Sequence, residues 1–292
     1  MPRYIAGVKI DFELTKDDVL KRIEEIIAAD EKAYICTVNA EFIMAANKDP
    51  EFKEILNKSA ISFADGIGVV LADEYLQALE KLPRNILFPF TAFIYGFYIG
   101  LLAVIRPRLF GSKVIKGSQF IYDMCDLAAK RGYTVFFLGG GWGKAGDLAT
   151  EVSHTMSHRF NNLRVVGASS KFSRLAGDDA ATASFINESM ENNVSRRINM
   201  LFIAYGHGYQ ERWAVRNKDN ICVNVVIGLG GSFDYVVCGE SVFLRMLRLV
   251  NMETLYRFIT KPRRWRRILI AFPIFPIFIY YLSLCMRLKK QQ

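Results

Sequence analysis

The sequence predicts an α/β fold, in which a mostly parallel sheet carries helices on both faces, followed by a basic and apolar C-terminal appendage. Short β-rich segments alternate with segments whose apolar residues recur at helical spacing. The 292 residues are 51% hydrophobic, which suffices for one large core close to the size at which single cores stop growing. The positive charge is concentrated near the C-terminus.

The predicted elements alternate regularly along the chain. Helical patterns occupy 16–30, 49–59, 66–79, 117–132, and segments near 143–159, 178–192 and 208–219. Strand patterns occupy 33–38, 60–64, 133–140, 163–168, 199–205 and 223–228. Strands separated by helices imply right-handed βαβ units, so the predicted fold is Rossmann-like in the broad sense.

The C-terminal segment carries nearly all of the net charge of +9. From Arg245 to Lys290 there are eleven Lys or Arg and one acid, Glu253, so this tail carries about +10. Its basic KPRRWRR run, 261–267, leads into an uncharged stretch, 268–286, of roughly the length that crosses a bilayer. Basic residues and Trp beside an apolar run favour an anionic membrane surface over nucleic acid.

Two apolar stretches are therefore candidates for membrane contact. Residues 268–286 are expected to lie in the membrane interface, with a true span and a buried core helix as the alternatives. Residues 86–105 are aromatic on all sides and lack a polar face, which favours membrane contact over a buried helix. We expect a catalytic domain over 1–240, with an apolar insertion at 84–110, and a membrane appendage over 241–292.

The N-terminus and the cysteines limit the compartment. Charges in MPRYIAGVKIDFELTKDD stand where a signal peptide has its apolar region, so the catalytic part is expected to remain in the cytoplasm. The five Cys form no CxxC pair, which indicates neither a disulfide framework nor a zinc site. His154 and His158 have metal-pair spacing, but Thr155 stands where a zincin has Glu.

Polar and glycine residues follow five of the predicted strands. Ligands of open parallel sheets bind beyond the carboxyl ends of the strands. Asp65 ends the strand 60–64, and the segments that end the other four are Asn39–Glu41, Gly139–Gly141, Tyr205–Gly208 and Gly228–Gly231. The sequence thus predicts one binding edge built from five strand ends.

The glycine-rich turn GGGWGKAG, 139–146, contains a GxGxxG pattern between a strand and a helix. Glycines allow close approach to a diphosphate, and a helix N-terminus offers free N–H groups. A dinucleotide site also needs an acid near the end of the next strand, but that strand reads VVGASS. A nucleotide-diphosphate site is favoured, and a dinucleotide site or a simple tight turn are the alternatives.

Several motifs together resemble the WecG/TagA/CpsF glycosyltransferases. They are TVNAEFIMAANKDPEF (37–52), ADGIGVV (64–70), FFLGGGWG (136–143), GHGYQERW (206–213), GLGGSFDY (228–235) and ETLYRFITKPRRWRR (253–267). The resemblance covers nearly the whole chain in order. It implies an inverting, metal-independent enzyme without a cofactor, at the cytoplasmic face of the bacterial inner membrane. Its reaction would move N-acetylmannosamine, its uronic acid or a related sugar from a UDP donor to a polyprenyl-diphosphate-linked sugar.

The resemblance also implies roles for individual residues. Asp65 becomes the candidate general base for the acceptor hydroxyl, with an N-cap of the following helix as the alternative. Gly66 would leave room for sugar. The other residues assigned to substrate are Thr37, Asn39, Gly139, Gly140, Gly141, Gln210, Glu211 and Asp234. For Gln210 and Glu211, a solvated first helical turn is the alternative.

The basic tail is assigned to the diphosphate and the lipid. The residues are Arg257, Arg263, Arg264, Arg266 and Arg267, and binding to lipid headgroups alone is the alternative for the last four. The chain departs from the family pattern at several points: GHGYQE replaces Gly-x-Pro-Lys-Gln-Glu, and VIKGSQ lacks an Arg and an Asp. These departures leave the sugar open.

Two other function classes remain open from the sequence. A nicotinamide-dependent oxidoreductase is disfavoured by the missing ribose acid, and a non-catalytic membrane-bound relative is disfavoured by the retained Asp65. We expect the chain to form a homo-oligomer and not to bind nucleic acid.

Overall fold

The computed structural model describes residues 2–83, 85–111, 113–140, 146–191, 197–238 and 265–289. The strands are β1 (Arg3–Ile5), β2 (Val8–Ile10), β3 (Ala33–Val38), β4 (Ile61–Ala64), β5 (Thr134–Gly139), β6 (Arg164–Ser169), β7 (Ile198–Ala204) and β8 (Val223–Gly228).

The helices account for most of the remaining described chain. They are α1 (Lys16–Ala28), α2 (Ala40–Lys48), α3 (Pro50–Lys58), α4 (Ile67–Glu80), α5 (Phe88–Ile105), α6 (Arg108–Gly111), α7 (Gly117–Arg131), α8 (Leu148–Arg159), α9 (Asp179–Glu191), α10 (Tyr209–Asn217), α11 (Ser232–Cys238), α12 (Trp265–Leu269) and α13 (Phe275–Lys289). A π-helical segment, Ile270–Ile274, joins the last two.

The central sheet has six strands in the order β4-β3-β8-β7-β5-β6, and every neighbouring pair is parallel. The predicted Rossmann-like fold is therefore confirmed. Because all six strands run the same way, their carboxyl ends lie along one edge. The five strand ends that were expected to form a binding edge do lie there.

Helices cover both faces of this sheet. Alternate residues of β5 show the division, because Phe136 and Leu138 belong to one buried cluster and Val135 and Phe137 to the other. The first cluster includes buried residues of α2, α3, α4, α5, α9, α10 and α13, and the second includes those of α1, α7, α8 and α11. Burial on both faces explains why the strands are apolar runs and do not alternate with polar residues.

Several elements were not predicted, among them the β1–β2 hairpin and the helices α2, α6 and α11. The antiparallel hairpin of β1 and β2 has strands of three residues, which are too short for a periodic pattern. It is held at the β4 edge of the sheet, where the Asp11 backbone N–H donates to the Ser62 carbonyl at 2.7 Å and the Asp11 carboxylate accepts from the Ser62 N–H at 2.8 Å. Of the missed helices, α2 begins directly after its cap, Asn39.

The two predicted apolar segments pack against each other and against α4. Buried residues of α5 and α13, including Ala92, Ile99 and Phe275, belong to the same core cluster as Val69 of α4. Among the described residues, α5 is the helix that is long and apolar enough to cross a membrane by length and composition.

Candidate active site

Asp65 lies at the carboxyl end of β4 and faces the beginning of α7. Its backbone N–H donates to the Val38 carbonyl at 2.8 Å, which fixes the chain where it leaves the strand. Its carboxylate Oδ1 accepts a hydrogen bond from the backbone N–H of Gly117, the first residue of α7, at 3.2 Å. Gly66, and not Asp65, holds the N-cap position of α4. The half-buried carboxylate is therefore oriented across the edge of the sheet.

The space around this carboxylate is shaped by glycines. A Cβ on Gly117 would lie 3.6 Å from Asp65 Oδ2 and 3.7 Å from both Leu229 Cδ2 and Ser232 Oγ, so β4, α7 and the segment after β8 converge here. Gly66 has φ +137°, a backbone conformation that favours glycine, and a Cβ there would meet no atom of the described residues within 4 Å. That Gly66 leaves room for a sugar beside Asp65 stays a prediction.

Gln210 and Glu211 form a buried polar pair between the ends of β7 and β8. Each is only 3% exposed, so the alternative of a solvated helical turn is wrong. The Gln210 side-chain N–H donates to Glu211 Oε1 at 2.7 Å, while its Oε1 accepts from the Gly230 N–H at 3.0 Å. The Gly208 N–H donates to Glu211 Oε2 at 2.8 Å. The pair thus connects the loops after two strands.

Burial changes the acidity of the Glu211 carboxyl. Loss of solvent raises the pKa of the Glu211 carboxyl to about 7, although the hydrogen bonds from Gln210 and Gly208 act in the opposite direction. Gly228 is required beside it, because a Cβ at that position would overlap the Gln210 side chain. The Thr37 hydroxyl donates to the Gly228 carbonyl at 3.3 Å and links β3 to the same arrangement. We call Thr37, Gln210, Glu211, Gly228 and Gly230 the polar rim.

Asn39 and Arg267 both bind the first turn of α2. The Asn39 side-chain oxygen accepts from the N–H groups of Glu41 (2.9 Å) and Phe42 (3.2 Å), so it caps this helix. Arg267 of α12 donates from Nε to both carboxylate oxygens of Glu41, at 2.7 and 2.8 Å. The basic tail is therefore held beside the helix that follows β3.

The remaining predicted tail residues are only partly described. Arg257, Arg263 and Arg264 lie outside the described residues, and Arg266 belongs to α12 without a described side chain. Their assignment to the diphosphate and the lipid stays a prediction.

His207, at the unrestricted position of the GHGYQE segment, packs among aromatic rings. The His207 ring stands edge-on to Phe42 and Phe52, with ring centroids 4.5 and 5.6 Å apart. Burial lowers the pKa of this imidazole, which favours its neutral form. His207 thus fills space between β7 and α2.

The glycine-rich turn after β5 has structural reasons for its first two glycines. Gly139 (φ +84°) leaves no room for a Cβ, which would lie 2.6 Å from the Tyr205 ring, and Gly140 (φ +93°) is similarly close to Leu148. Gly141 lies outside the described residues. The next helix was expected near 143 but begins at Leu148, because Asp147 caps it by accepting from the Thr150 N–H at 3.1 Å.

Asp234 lies half-buried in the first turn of α11. Sequence reasoning did not single out Gly117, whose N–H binds the Asp65 carboxylate, or Ser232, whose hydroxyl lies beside Gly117. Each is the first residue of a helix, α7 and α11 respectively, and this position was the available signal. Within the described ranges, no three His, Cys, Asp or Glu side chains are grouped so that they could hold a metal ion.

Comparison with known proteins agrees with this arrangement. The profile of the Glycosyl transferase WecG/TagA/CpsF family matches residues 3–89 and 99–290. Curated relatives named N-acetylglucosaminyldiphosphoundecaprenol N-acetyl-beta-D-mannosaminyltransferase are similar. The Bacillus subtilis (strain 168) protein is 27% identical over 81% of this chain and 75% of its own length.

Two further relatives with that name cover more of the chain. The Bacillus spizizenii protein is 27% identical over 89% of this chain and 83% of its own length. The Staphylococcus aureus (strain NCTC 8325) protein is 22% identical over 98% and 94%, respectively. Since the family profile extends over both the sheet with its Asp65 edge and the C-terminal helices, the chain belongs to the WecG/TagA/CpsF family and is a glycosyltransferase.

Proposed function

We propose that the chain transfers N-acetylmannosamine, its uronic acid or a related sugar from a UDP-sugar to a sugar on polyprenyl diphosphate, with inversion and without a metal. The relatives' name supports the acceptor class, since it specifies N-acetylglucosaminyldiphosphoundecaprenol and transfer of an N-acetyl-β-D-mannosaminyl group. An acceptor with a lipid chain requires a membrane-associated enzyme, and we place this one at the cytoplasmic face of the bacterial inner membrane.

The orientation of Asp65 is the observation that carries the proposal. Its carboxylate accepts a hydrogen bond from the Gly117 N–H at 3.2 Å, and the next residue, Gly66, carries no side chain that would occupy the space beside it. In the proposed reaction the acceptor hydroxyl oxygen bonds to the anomeric carbon of the donor as the bond to UDP breaks. Asp65 takes the hydroxyl proton, and the electron pair of the broken bond leaves with UDP.

The polar rim has a supporting part in this proposal. Its donors and acceptors are largely used within the rim, where they hold the ends of β3, β7 and β8 in register. A rigid edge keeps sugar and base at reacting distance. The residues proposed to contact substrate include this rim together with Asn39, Gly66 and Asp234.

Negative charge on the departing UDP needs a separate stabilising group in the absence of a metal. We assign this role to the turn at Gly139, Gly140 and Gly141 and to the basic tail. Arg267 is the described member of that tail, and its pairing with Glu41 places it beside α2. We also propose that 1–240 is the catalytic domain and 241–292 the membrane appendage, whose described part packs on α4 and α5 through Phe275 and Ile279.

The test compares the full chain with Asp65→Asn in detergent. A panel of UDP-sugars and a polyprenyl-diphosphate-linked N-acetylglucosamine are supplied, and the lipid-linked disaccharide is measured by mass spectrometry. The control is Asp126→Asn, which removes a surface carboxylate from α7 that pairs with Lys130. We expect Asp65→Asn to lose about 10²-fold or more in rate and the control to lose little.

Two results would overturn the proposal. Undiminished product from Asp65→Asn would remove Asp65 as the base. Absence of product from the unmodified chain with every donor would show that the assigned substrate class is wrong.

A further inference from the structure

The outer face of α5 is apolar along its whole length. Phe90, Phe97 and Val104 are 66, 70 and 68% exposed, and they recur at intervals of seven residues, which is two helical turns. Phe93, Leu101 and Ile105 lie on the same exposed stripe. A surface helix normally turns polar residues outward, so this face lacks the side chains that water would require.

The opposite face of α5 is buried along that same length. Phe88 near its start, Ala92, and Ala103 near its end are at most 7% exposed and belong to the core cluster shared with α4. In the middle, a Cβ on Gly96 would come within 3.3 Å of the Tyr75 ring of α4. The helix is thus fixed lengthwise to the sheet domain.

Helix α13 widens the exposed stripe. Its Tyr280 hydroxyl donates to the Pro89 carbonyl at 3.2 Å, and the Tyr280 and Phe93 ring centroids are 6.2 Å apart. Ile277 and Tyr281 are 63 and 64% exposed on the outer side of this helix. We call the exposed stripe of α5 together with Ile277 and Tyr281 the apolar surface.

Length alone would permit α5 to cross a bilayer, but its packing does not. The helix has 18 residues with a mean hydropathy of 1.9, and it is about 27 Å long at the usual helical rise. Its partner α4 carries Asp73, ion-paired to Arg3 at 3.0 Å, and Glu74, ion-paired to Lys113. A spanning α5 would carry these charged groups into hydrocarbon, which is costly.

We infer that the apolar surface lies within one leaflet of a membrane, with the axis of α5 parallel to the membrane plane. The chain would then be monotopic, and neither α5 nor α13 would cross. This inference rests on the proposed lipid-linked acceptor for the identity of the membrane. Residues 90–98, half of α5, fall outside the family match, so the stripe on that half is a feature of this chain.

Charges at the border of the surface favour a bilayer over a second protein copy. Arg106 and Arg108 are exposed directly after α5, and Trp265, at the start of α12, is 55% exposed. Cationic and Trp side chains next to an apolar face suit anionic headgroups and the interface, and two copies facing each other would bring like charges together.

The position of the surface also suits the proposed reaction. Phe275, the first residue of α13, would contact a Cβ on Gly68 at 3.9 Å, three residues along the chain from Asp65. The helix that widens the apolar surface therefore begins beside the segment that follows the candidate base, which suits an acceptor anchored in lipid.

Depth measurement tests the inference directly. A fluorescent label is placed at Phe90→Cys, Phe97→Cys or Val104→Cys in the full chain, with Cys222, Cys238 and Cys285 replaced by Ser. Quenching by nitroxide lipids, labelled near the headgroup or near the chain end, is recorded in phosphatidylglycerol-containing vesicles. We expect the three labels at the same depth, and a label at Leu175→Cys, an exposed apolar residue of the β6–α9 connection, to remain unquenched.

A spanning helix would give a different pattern. The first and third positions are 14 residues apart, about 21 Å along a helix, so position 97 would be deepest and the other two would approach opposite surfaces. That pattern would overturn the inference. Unquenched labels together with a dimer in light scattering would overturn it in favour of a second copy.

A binding experiment separates this inference from the proposed reaction. Phe97→Glu is expected to lower vesicle binding in flotation by about tenfold or more, while Leu175→Glu has little effect. Transfer to an acceptor with a short, water-soluble chain should persist in Phe97→Glu. If the unmodified chain transfers no sugar but the three labels share one depth, the proposed function fails and the membrane inference stands. Equal vesicle binding by Phe97→Glu and Leu175→Glu would overturn the membrane inference.

Discussion

The polar rim and the apolar surface depart from ordinary burial in opposite directions. In the rim, Gln210 and Glu211 are polar and only 3% exposed. On the surface, Phe90 and Phe97 are apolar and 66 to 70% exposed. Proteins ordinarily bury large apolar side chains and expose polar ones.

The difference teaches where to look for a partner. Each rim side chain has its partners inside the protein, through hydrogen bonds of 2.7 to 3.3 Å, so its burial is accounted for by structure. The aromatic groups of the apolar surface face outward, and their burial requires something outside the chain. Asp65 belongs to neither region: it lies at the end of β4, where its carboxylate accepts a hydrogen bond from the Gly117 N–H.

The largest expected effect is on the transfer rate, and it distinguishes the candidate base from the apolar surface. Asp65→Asn should lower kcat by two to four orders of magnitude with both lipid-linked and short-chain acceptors, because a general base contributes about that much. Phe97→Glu should lower the rate only with the lipid-linked acceptor. Initial rates with both acceptors measure this, and equal losses for Phe97→Glu on both would contradict the separation.

Gly228→Ala tests whether the rim is a structural unit. The added Cβ overlaps Gln210, so its hydrogen bonds to Gly230 and Glu211 are lost and a buried carboxylate oxygen remains unpaired. We expect the free energy of unfolding to fall by about 3 kcal/mol or more. Chemical denaturation measures it, with Gly177→Ala as control, since a Cβ there meets nothing within 4 Å. Equal stabilities would show that Gln210 adapts freely.

The pH dependence of stability tests the buried carboxyl of the rim. Glu211 has a folded pKa of about 7 against an ordinary 4.5, so its contribution to stability is fully present below pH 4.5 and is lost as pH rises through 7. This loss amounts to about 3 kcal/mol. Chemical denaturation at several pH values in this range gives the free energy of unfolding as a function of pH. Its slope should differ between the parent chain and Glu211→Gln.

The matching control is Glu51→Gln, which removes an exposed carboxylate from α3. Its slope should follow that of the parent chain. A Glu211→Gln slope identical to that of the parent would show that Glu211 does not titrate in this range.

The smallest expected effect concerns the ion pair that joins the tail to α2. The side chains of Arg267 and Glu41 are 47% and 15% exposed, so solvent screens the pair. A double-mutant cycle of Arg267→Gln and Glu41→Gln should give a coupling of less than about 1 kcal/mol that decreases with salt. A coupling that stays large in high salt would mean that this pair docks the appendage.

Much of the sheet could be predicted, because its information is local. β3 and β8 were predicted with their observed ends, since both are β-rich runs next to turn residues. The carboxyl-edge position of Asp65 followed from the parallel arrangement. Helix α8 begins later than expected because Asp147, and not the glycine turn, caps it.

Sequence alone determined the family, the parallel sheet and the candidate base, because motifs and strand periodicity are properties of neighbouring residues. Tertiary structure decided that Gln210 and Glu211 are buried and that α5 is fastened lengthwise to α4. Both depend on contacts between segments far apart in the chain, such as Tyr280 with Pro89. An apolar stretch has the same amino-acid sequence whether it spans a bilayer or lies in one leaflet. Only its packing partners fix its orientation.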